Sequence, residues 1–280
     1  MIARSMSLEF CTLASGSAGN AAIVRSPAGI LLIDAGIGAR ALAKRLEGSG
    51  VRPTDISALC LTHLDGDHYW PSLGPTLCNL NIPIYCHAGK VDAFALCSPE
   101  LAPRIRPFND EAFSPIRGLT CKPVQFAHDQ LGSHGFVIDG FGYRIGYATD
   151  LGDVPTYFFD HFCDLDCIAI EANYDPNMQA ASPRPYFLKR RITGGHGHLS
   201  NRQALAAVRK LLDRARRLPD HIVLLHRSQE CNCPELVREL FSVDPRIAPR
   251  LTLAQQHERS QWLGRVAHRA YVGEQLTLAL

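Results

Sequence analysis

Four side chains able to hold a metal fall within six residues of the segment Leu61-Thr62-His63-Leu64-Asp65-Gly66-Asp67-His68. Imidazole and carboxylate suit zinc, iron or manganese. The apolar run 56–62 just before them predicts a buried strand, which would hold His63 rigidly. The turn through Gly66 can then swing Asp65, Asp67 and His68 around a common point. A polar loop whose acids cap a following helix would explain an isolated Asp-Gly-Asp, but not two flanking histidines. A metal ion held there would lower the pKa of a bound water from about 15.7 toward about 7, making hydroxide available at neutral pH. The same cation would offset charge developing on the oxygens of a scissile ester. The expected chemistry is hydrolysis.

The pattern His63-x-Asp65-x-Asp67-His68 resembles the HxHxDH signature of the metallo-β-lactamase superfamily, with Asp65 in place of the second histidine. The nuclease-like domain of competence DNA-uptake proteins is similar to this HxDxDH version. Further segments, in order, resemble the WalJ/YycJ-type exonuclease family. They are Ala14-Ser15-Gly16-Ser17-Ala18-Gly19-Asn20, Leu32-Ile33-Asp34-Ala35-Gly36, His128-Asp129 and Ala148-Thr149-Asp150-Leu151-Gly152. They continue with Glu171-Ala172-Asn173-Tyr174-Asp175, Leu188-Lys189-Arg190-Arg191-Ile192, Gly197-His198-Leu199-Ser200-Asn201, and His226-Arg227-Ser228 with Asn232. The similarity covers about residues 8–240.

That resemblance implies a four-layer αββα sandwich and two divalent metal ions per chain. His63, Asp65 and His128 would hold the first ion, Asp67, His68 and His226 the second, and Asp150 would bridge. An oxygen at Asp65, where the family places a nitrogen, hardens the site and favours manganese or iron over zinc. Asp67 is expected to orient the metal-bridged hydroxide, and His198 to assist the leaving group. A loop histidine with no role is the alternative for His198, given its glycine-rich surroundings. Ser15, Ser17 and Asn20 lie in a turn whose amides suit a phosphate, although a plain β-turn also explains the glycines. Asn173, Asp175, Ser200, Asn201 and Ser228 complete the expected substrate contacts. Ser200 has a second reading as a helix N-cap, and that N-terminus could itself attract phosphate. The family often has histidine where Tyr174 stands.

These residues need strands and turns to position them. Strands are expected at 8–13, 21–25, 29–34, 56–62, 84–87, 119–126, 135–139, 143–149, 166–171 and 222–225, with Asp139-Gly140 as a hairpin turn. Residues 38–48 read as a helix ending at glycine. Residues 201–218 read as the clearest helix, with Leu205, Val208, Leu212 and Ala215 on one face and Ser200 and Gln203 forming a capping box. His128, Asp150 and His226 each fall just past an expected strand, where loops gather into sites. Residues 251–254 suggest an edge strand. One α/β domain over 1–280 is expected, with 241–280 packed on it.

Composition narrows the function class. The chain has 280 residues, 46% of them hydrophobic and 20% charged, and a net charge of +2. These are the proportions of an ordinary globular protein. No apolar run approaches the roughly 18 residues of a membrane span, and residues 1–10 lack a signal-peptide core. A cytoplasmic protein is expected, with no membrane partner and no obligate protein partner. Five of the ten cysteines, Cys11, Cys60, Cys86, Cys163 and Cys167, sit in or beside apolar stretches as small core residues. Cys231 and Cys233 form a CxC too weak to specify a metal site.

The family resemblance implies a 5′-to-3′ DNA exonuclease. A basic series from Arg184 to Arg217 favours a polymer substrate, since its phosphates extend beyond the reacting one; a solvated helix face is its ordinary alternative. Other candidate activities are a phosphodiesterase of cyclic or modified nucleotides, another ester hydrolase, or a non-catalytic metal-binding regulator.

Overall fold

A strand whose alternate positions are all apolar has two faces to bury. The computed structural model, which describes residues 7–266, meets that demand by stacking two sheets and covering each with helices. The first sheet contains β1 (Glu9–Ala14), β2 (Ala21–Ser26), β3 (Gly29–Ile33), β4 (Ile56–Cys60), β5 (Ile84–His87) and β6 (Ile105–Phe108). The second contains β7 (Thr120–Phe126), β8 (Ser133–Gly140), β9 (Tyr143–Ala148), β10 (Cys167–Glu171), β11 (His221–Leu225) and β12 (Leu251–Leu253). A short β13 (Leu263–Gly264) returns to pair with β1. Within the first sheet β3 to β6 run parallel, and within the second β9 to β12 do.

In β3, Leu31 and Ile33 face the core between the sheets, while Ile30 and Leu32 pack under helices. In β10 and β11 the same division sends Cys167, Ala169, Val223 and Leu225 inward, and Ile168, Ile170, Ile222 and Leu224 outward. On the first sheet's outer face lie α1 (Ala39–Leu46), α2 (Gly74–Leu80) and α3 (Val91–Cys97), contributing Leu42, Leu77 and Phe94. The second sheet's outer face is covered by α4 (Phe158–His161), then, past α5 (Pro176–Ala181) and α6 (Tyr186–Thr193), by α7 (Asn201–Arg214) and α8 (Pro234–Ser242). The result is the expected αββα order.

Two expectations shift. The hairpin turn lies at Phe141-Gly142, not Asp139-Gly140. Both turn residues have left-handed φ, 51° and 69°, as a two-residue turn of this twist requires, and β8 runs on through Gly140. Asp139 instead sits opposite Arg144 and pairs with it at 3.0 Å. Helix α7 stops at Arg214 rather than 218, because Ala215 turns extended and the Arg216 amide donates to Asp164. Short elements such as β6, α2 and α3 carry too few periodic residues to announce themselves. The edge strand near 251–254 is present as β12, and residues 267–280 of the expected tail lie outside the described residues.

At the start of α7, Ser200 Oγ accepts from the Gln203 amide at 3.3 Å and Gln203 Oε1 accepts from the Ser200 amide at 2.9 Å. The expected capping box is formed. Ser200→Ala should therefore lower stability by about 1 kcal/mol, read as a reduced urea midpoint with an unchanged slope. An unaltered midpoint would show that the cap contributes nothing to the folded state.

Candidate active site

In the first sheet β3 and β4 run together, in the second β7, β9, β10 and β11 do, and the C-terminal ends of both sets meet along one rim of the sandwich. Asp34, His63, His128, Asp150 and His226 lie one to three residues beyond those ends, and Glu171 closes β10. Asp34, Asp150 and His226 have φ values of 58°, 55° and 51°, a conformation uncommon for residues with a Cβ. The Asp65–His68 loop is pinned from the opposite side. Its Asp67 carbonyl accepts from the Asn20 amide at 2.7 Å, and its His68 carbonyl from the Ala35 amide at 2.7 Å. Gly36 is needed for this approach, since a Cβ there would sit 1.7 Å from the Asp67 carbonyl oxygen. A Cβ at Gly66, by contrast, would meet open space, so that glycine is not what shapes the loop.

The seven expected ligands converge. Donor atoms of His63, His128 and Asp150 lie within 4.8 Å of one another, as do those of Asp67, His68 and His226. The Asp150 carboxylate stands between the two groups, 2.8 Å from His68 Nε2, 3.7 Å from His226 Nδ1 and 3.8 Å from His128 Nε2. Asp65 Oδ2 lies 3.8 Å from both His63 Nε2 and His128 Nε2. Asp67 Oδ2 lies 3.1 Å from His226 Nε2 and 3.7 Å from His68 Nε2. His63 Nε2 is buried with no hydrogen-bond partner, an arrangement that costs free energy unless something occupies its lone pair. An orphaned imidazole nitrogen amid carboxylates and imidazoles is a donor set that fits divalent metal ions.

A second ring of groups fixes the imidazoles. His68 Nδ1 faces Asp34 Oδ2 at 2.8 Å, and Asp34 also accepts from the Thr62 amide at 2.8 Å. His128 Nδ1 donates to the Gly197 carbonyl at 2.9 Å, which leaves its Nε2 for the rim. Glu171, fully buried, accepts from the Leu151 amide at 2.8 Å through Oε2, while its Oε1 lies 2.6 Å from His198 Nδ1 and 3.2 Å from His226 Nδ1. Such outer carboxylates set ring tautomer and orientation. Sequence reading gave neither Asp34 nor Glu171 a role. The available signal was an acid ending an apolar strand, where burial demands a partner.

Charge follows the same plan. Burial, reinforced by neighbouring His68, keeps His63 well below the usual histidine range, so its lone pair is free. Burial also opposes the charged forms of His68, His128 and His226, but the surrounding carboxylates outweigh it. His68 rises well above its ordinary value, His128 to about 9 and His226 to about 10. For Asp150 burial pulls upward, yet His226 and His68 hold its carboxyl well below the usual range. Protons here stand where cations would, so metal uptake should release them.

The expected substrate contacts divide. Ser17, Asn173 and Ser228 line a cavity of about 410 Å³ together with Asp67, Asp150, His198, His226, Arg184 and Arg191. Asn173 Nδ2 also donates to the His226 carbonyl at 2.7 Å and Ser228 Oγ accepts from the Cys231 amide at 3.1 Å, and the others likewise use their side chains inside the fold. Ser15 Oγ accepts from the His226 amide at 2.8 Å, and Asn20 Nδ2 donates to the Asp67 carbonyl at 3.2 Å. Asp175 caps α5, Ser200 caps α7, and Asn201 is paired with Asn232. These five side chains position the site's walls. His198 faces the cavity with Nδ1 turned toward Glu171.

The basic series also needs correction. Arg209 pairs with Asp244, Arg214 with Asp160, Arg216 with Asp164 and Arg217 with Asp166, while Lys210 lies over the Phe159 ring. None of these lines the cleft. Only Arg184 and Arg191 of the series do. Likewise Cys231 and Cys233 join no metal-ligand cluster among the described residues. The ten cysteines are free, and of the five read as core residues Cys163 is only partly buried.

Comparison with known proteins agrees with this geometry. The profile of the β-lactamase superfamily domain matches residues 30–222, more than half of the chain. The chain belongs to the metallo-β-lactamase superfamily. Its fold and its class, a hydrolase of this superfamily, are those expected from the motifs. Over 238 residues it is 26% identical to the exodeoxyribonuclease YycJ of Bacillus anthracis, covering 83% of this chain and 87% of that protein. Over 243 residues it is 27% identical to the exodeoxyribonuclease WalJ of Streptococcus pneumoniae, covering 81% and 84%. Among solved structures it superposes on a diphosphatase of the PhnP family with a TM-score of 0.65, at 15% identity over 92% of this chain and 99% of that one. Human tRNase Z, short form, gives 0.60 at 19% identity over 90% and 98%. This superfamily binds divalent metal, for which the rim supplies the clusters. Among the described residues, no helix is long and apolar enough to cross a membrane.

Proposed function

We propose that this metallo-β-lactamase superfamily member is a dinuclear metal-dependent phosphodiesterase that removes nucleotides from DNA ends in the cytoplasm. The observation that carries this reading is the placement of Asp150 between two separate donor groups, one around His63, Asp65 and His128, the other around Asp67, His68 and His226. Two divalent cations held there would acidify a water and offset charge on phosphoryl oxygens. Asp67, partly exposed to the cavity, orients the attacking water. His198, with Nδ1 held by Glu171, leaves Nε2 for the leaving oxygen as a proton donor. Arg184 and Arg191, ion-paired with Glu230 and Asp129, line the cavity that would take the phosphate, and Ser17 and Ser228 border it. The exodeoxyribonuclease names of the two relatives support DNA as the substrate.

The test is incubation of metal-supplemented protein with end-labelled duplex DNA, single-stranded DNA, RNA and bis-p-nitrophenyl phosphate. Progressive loss of labelled DNA ends is expected. Cleavage of the small ester with no attack on any polymer would reassign the site to small phosphodiesters, and no cleavage of either would remove the catalytic reading.

The Asp65 oxygen also sets the preferred ion. Manganese or iron should support faster turnover than zinc, and Asp65→His should move the optimum toward zinc by supplying a nitrogen. Identical metal profiles for parent and variant would place residue 65 outside the coordination sphere.

A further inference from the structure

The cleft has a second lobe, most of whose lining, apart from the metal donors and Arg191, has no role above. Its volume is about 420 Å³, and it meets the first at Asp65, His128 and Arg191. Beyond that junction its walls are Lys90, Leu64, Asp129, Gln130, Leu131 and Gly132.

Lys90 is the anomaly in this lobe. It follows β5, is only 4% exposed, and donates from Nζ to the Gly132 carbonyl at 2.7 Å. Among the described residues no carboxylate forms an ion pair with it. Burying an ammonium to satisfy one neutral carbonyl is costly, and a neutral donor would tie the loop equally well. The two acids of the lobe are already committed: Asp129 receives Arg191 through both carboxylate oxygens, and Asp65 is turned to the metal donors. Positive charge is therefore left over where the lobe ends.

We propose that this lobe receives the terminal phosphate of a nucleic-acid strand, with Lys90 at its floor and Arg191 at its rim. The inference rests on the phosphodiesterase reading of the neighbouring metal donors. A phosphomonoester carries close to two negative charges and three strong acceptor oxygens, whereas an internal diester carries a single charge. The monoester suits a buried ammonium and an adjacent guanidinium better. No Phe, Tyr or Trp lines the lobe, and its imidazoles, His63 and His128, are the metal donors, so it lacks the large aromatic platform that a base would favour. A strand end anchored there places the adjoining phosphodiester beside His63, Asp65 and His128. The protein would then distinguish ends by their phosphorylation.

The experiment uses one oligonucleotide sequence prepared with phosphate or hydroxyl at each end. Cleavage is measured with the metal-loaded protein, and binding by fluorescence anisotropy in calcium. Phosphate-ended strands should be preferred at least tenfold in kcat/KM, largely through KM, and bound more tightly by a similar factor. Inorganic phosphate should reduce that preference by competition. Lys90→Gln keeps a donor for the Gly132 carbonyl while removing the charge, and should bring the preference to within twofold. Arg191→Gln, at a largely exposed side chain that does not threaten folding, should reduce it in the same direction. If phosphate- and hydroxyl-ended strands are cleaved and bound equally, or if both variants retain the parental preference, the lobe is not a phosphate site. If no strand is cleaved, the phosphodiesterase reading falls, and the anisotropy comparison still decides whether the lobe holds a terminal phosphate.

Discussion

Asp150→Asn is expected to lower hydrolysis by about a thousandfold, the scale reached when a principal electrostatic contributor is taken from a preorganised site. The carboxylate is 2% exposed and lies between both donor groups, so neutralising it removes the one anion that each shares. Asparagine retains the shape and tolerates the left-handed φ of 55° at this position, which alanine would not do as readily. Ser133 Oγ still donates to the residue 150 carbonyl at 2.7 Å, so the strand end should stay in place. Elemental analysis should therefore show fewer bound ions in a variant whose circular dichroism is unchanged. A variant with two ions and a rate within tenfold of the parent would show that Asp150 does not bridge.

Glu171→Gln should cost about 10–100-fold, the range for residues that orient a ligand rather than bind the metal. An amide fills the same volume, but it cannot accept from the Leu151 amide while also accepting from both imidazoles. One of three bonds must be lost or reversed. The two roles of Glu171 separate by leaving group. If the carboxylate stabilises a proton-donating His198, the loss should be larger for DNA, whose leaving oxygen needs that proton, than for bis-p-nitrophenyl phosphate, whose leaving group does not. Equal losses on both substrates would confine Glu171 to holding His226.

The sequence made the donor residues legible because they are chemically distinctive and sit where apolar runs stop. His63 and His226 could be placed in this way before any coordinates. Outer residues were harder to assign. Asp34 and Glu171 appear as ordinary acids until the fold shows that water cannot reach them. The substrate residues were hard to assign for the opposite reason. Ser15, Asn20 and Asn201 are polar and lie near the motifs, but hydrogen bonding to the chain itself consumes their side chains, and only three-dimensional pairing reveals that. The arginines of α7 and of the turn after it were ambiguous for a similar reason, since Asp160, Asp164, Asp166 and Asp244 are distant in sequence or on other elements. In the fold, strands with two apolar faces were readable, while β6 and α2 were too short to show a period. The hairpin turn was displaced because a phenylalanine at left-handed φ is not something composition suggests.

The rim where the strands end also orders events during synthesis. His63 to His68 extend from the first sheet, whereas His128, Asp150 and His226 extend from the second. A growing chain can complete the first sheet's parallel strands early, yet it holds only part of the donor set until residue 226 has left the ribosome. The Ser15 hydroxyl that accepts from the His226 amide then links chain positions 211 apart. A nascent or truncated chain thus has no complete centre with which to hydrolyse a substrate or sequester metal. Ion uptake becomes a late clasp across the two halves, and chelation should make the closed sandwich easier for a protease to open.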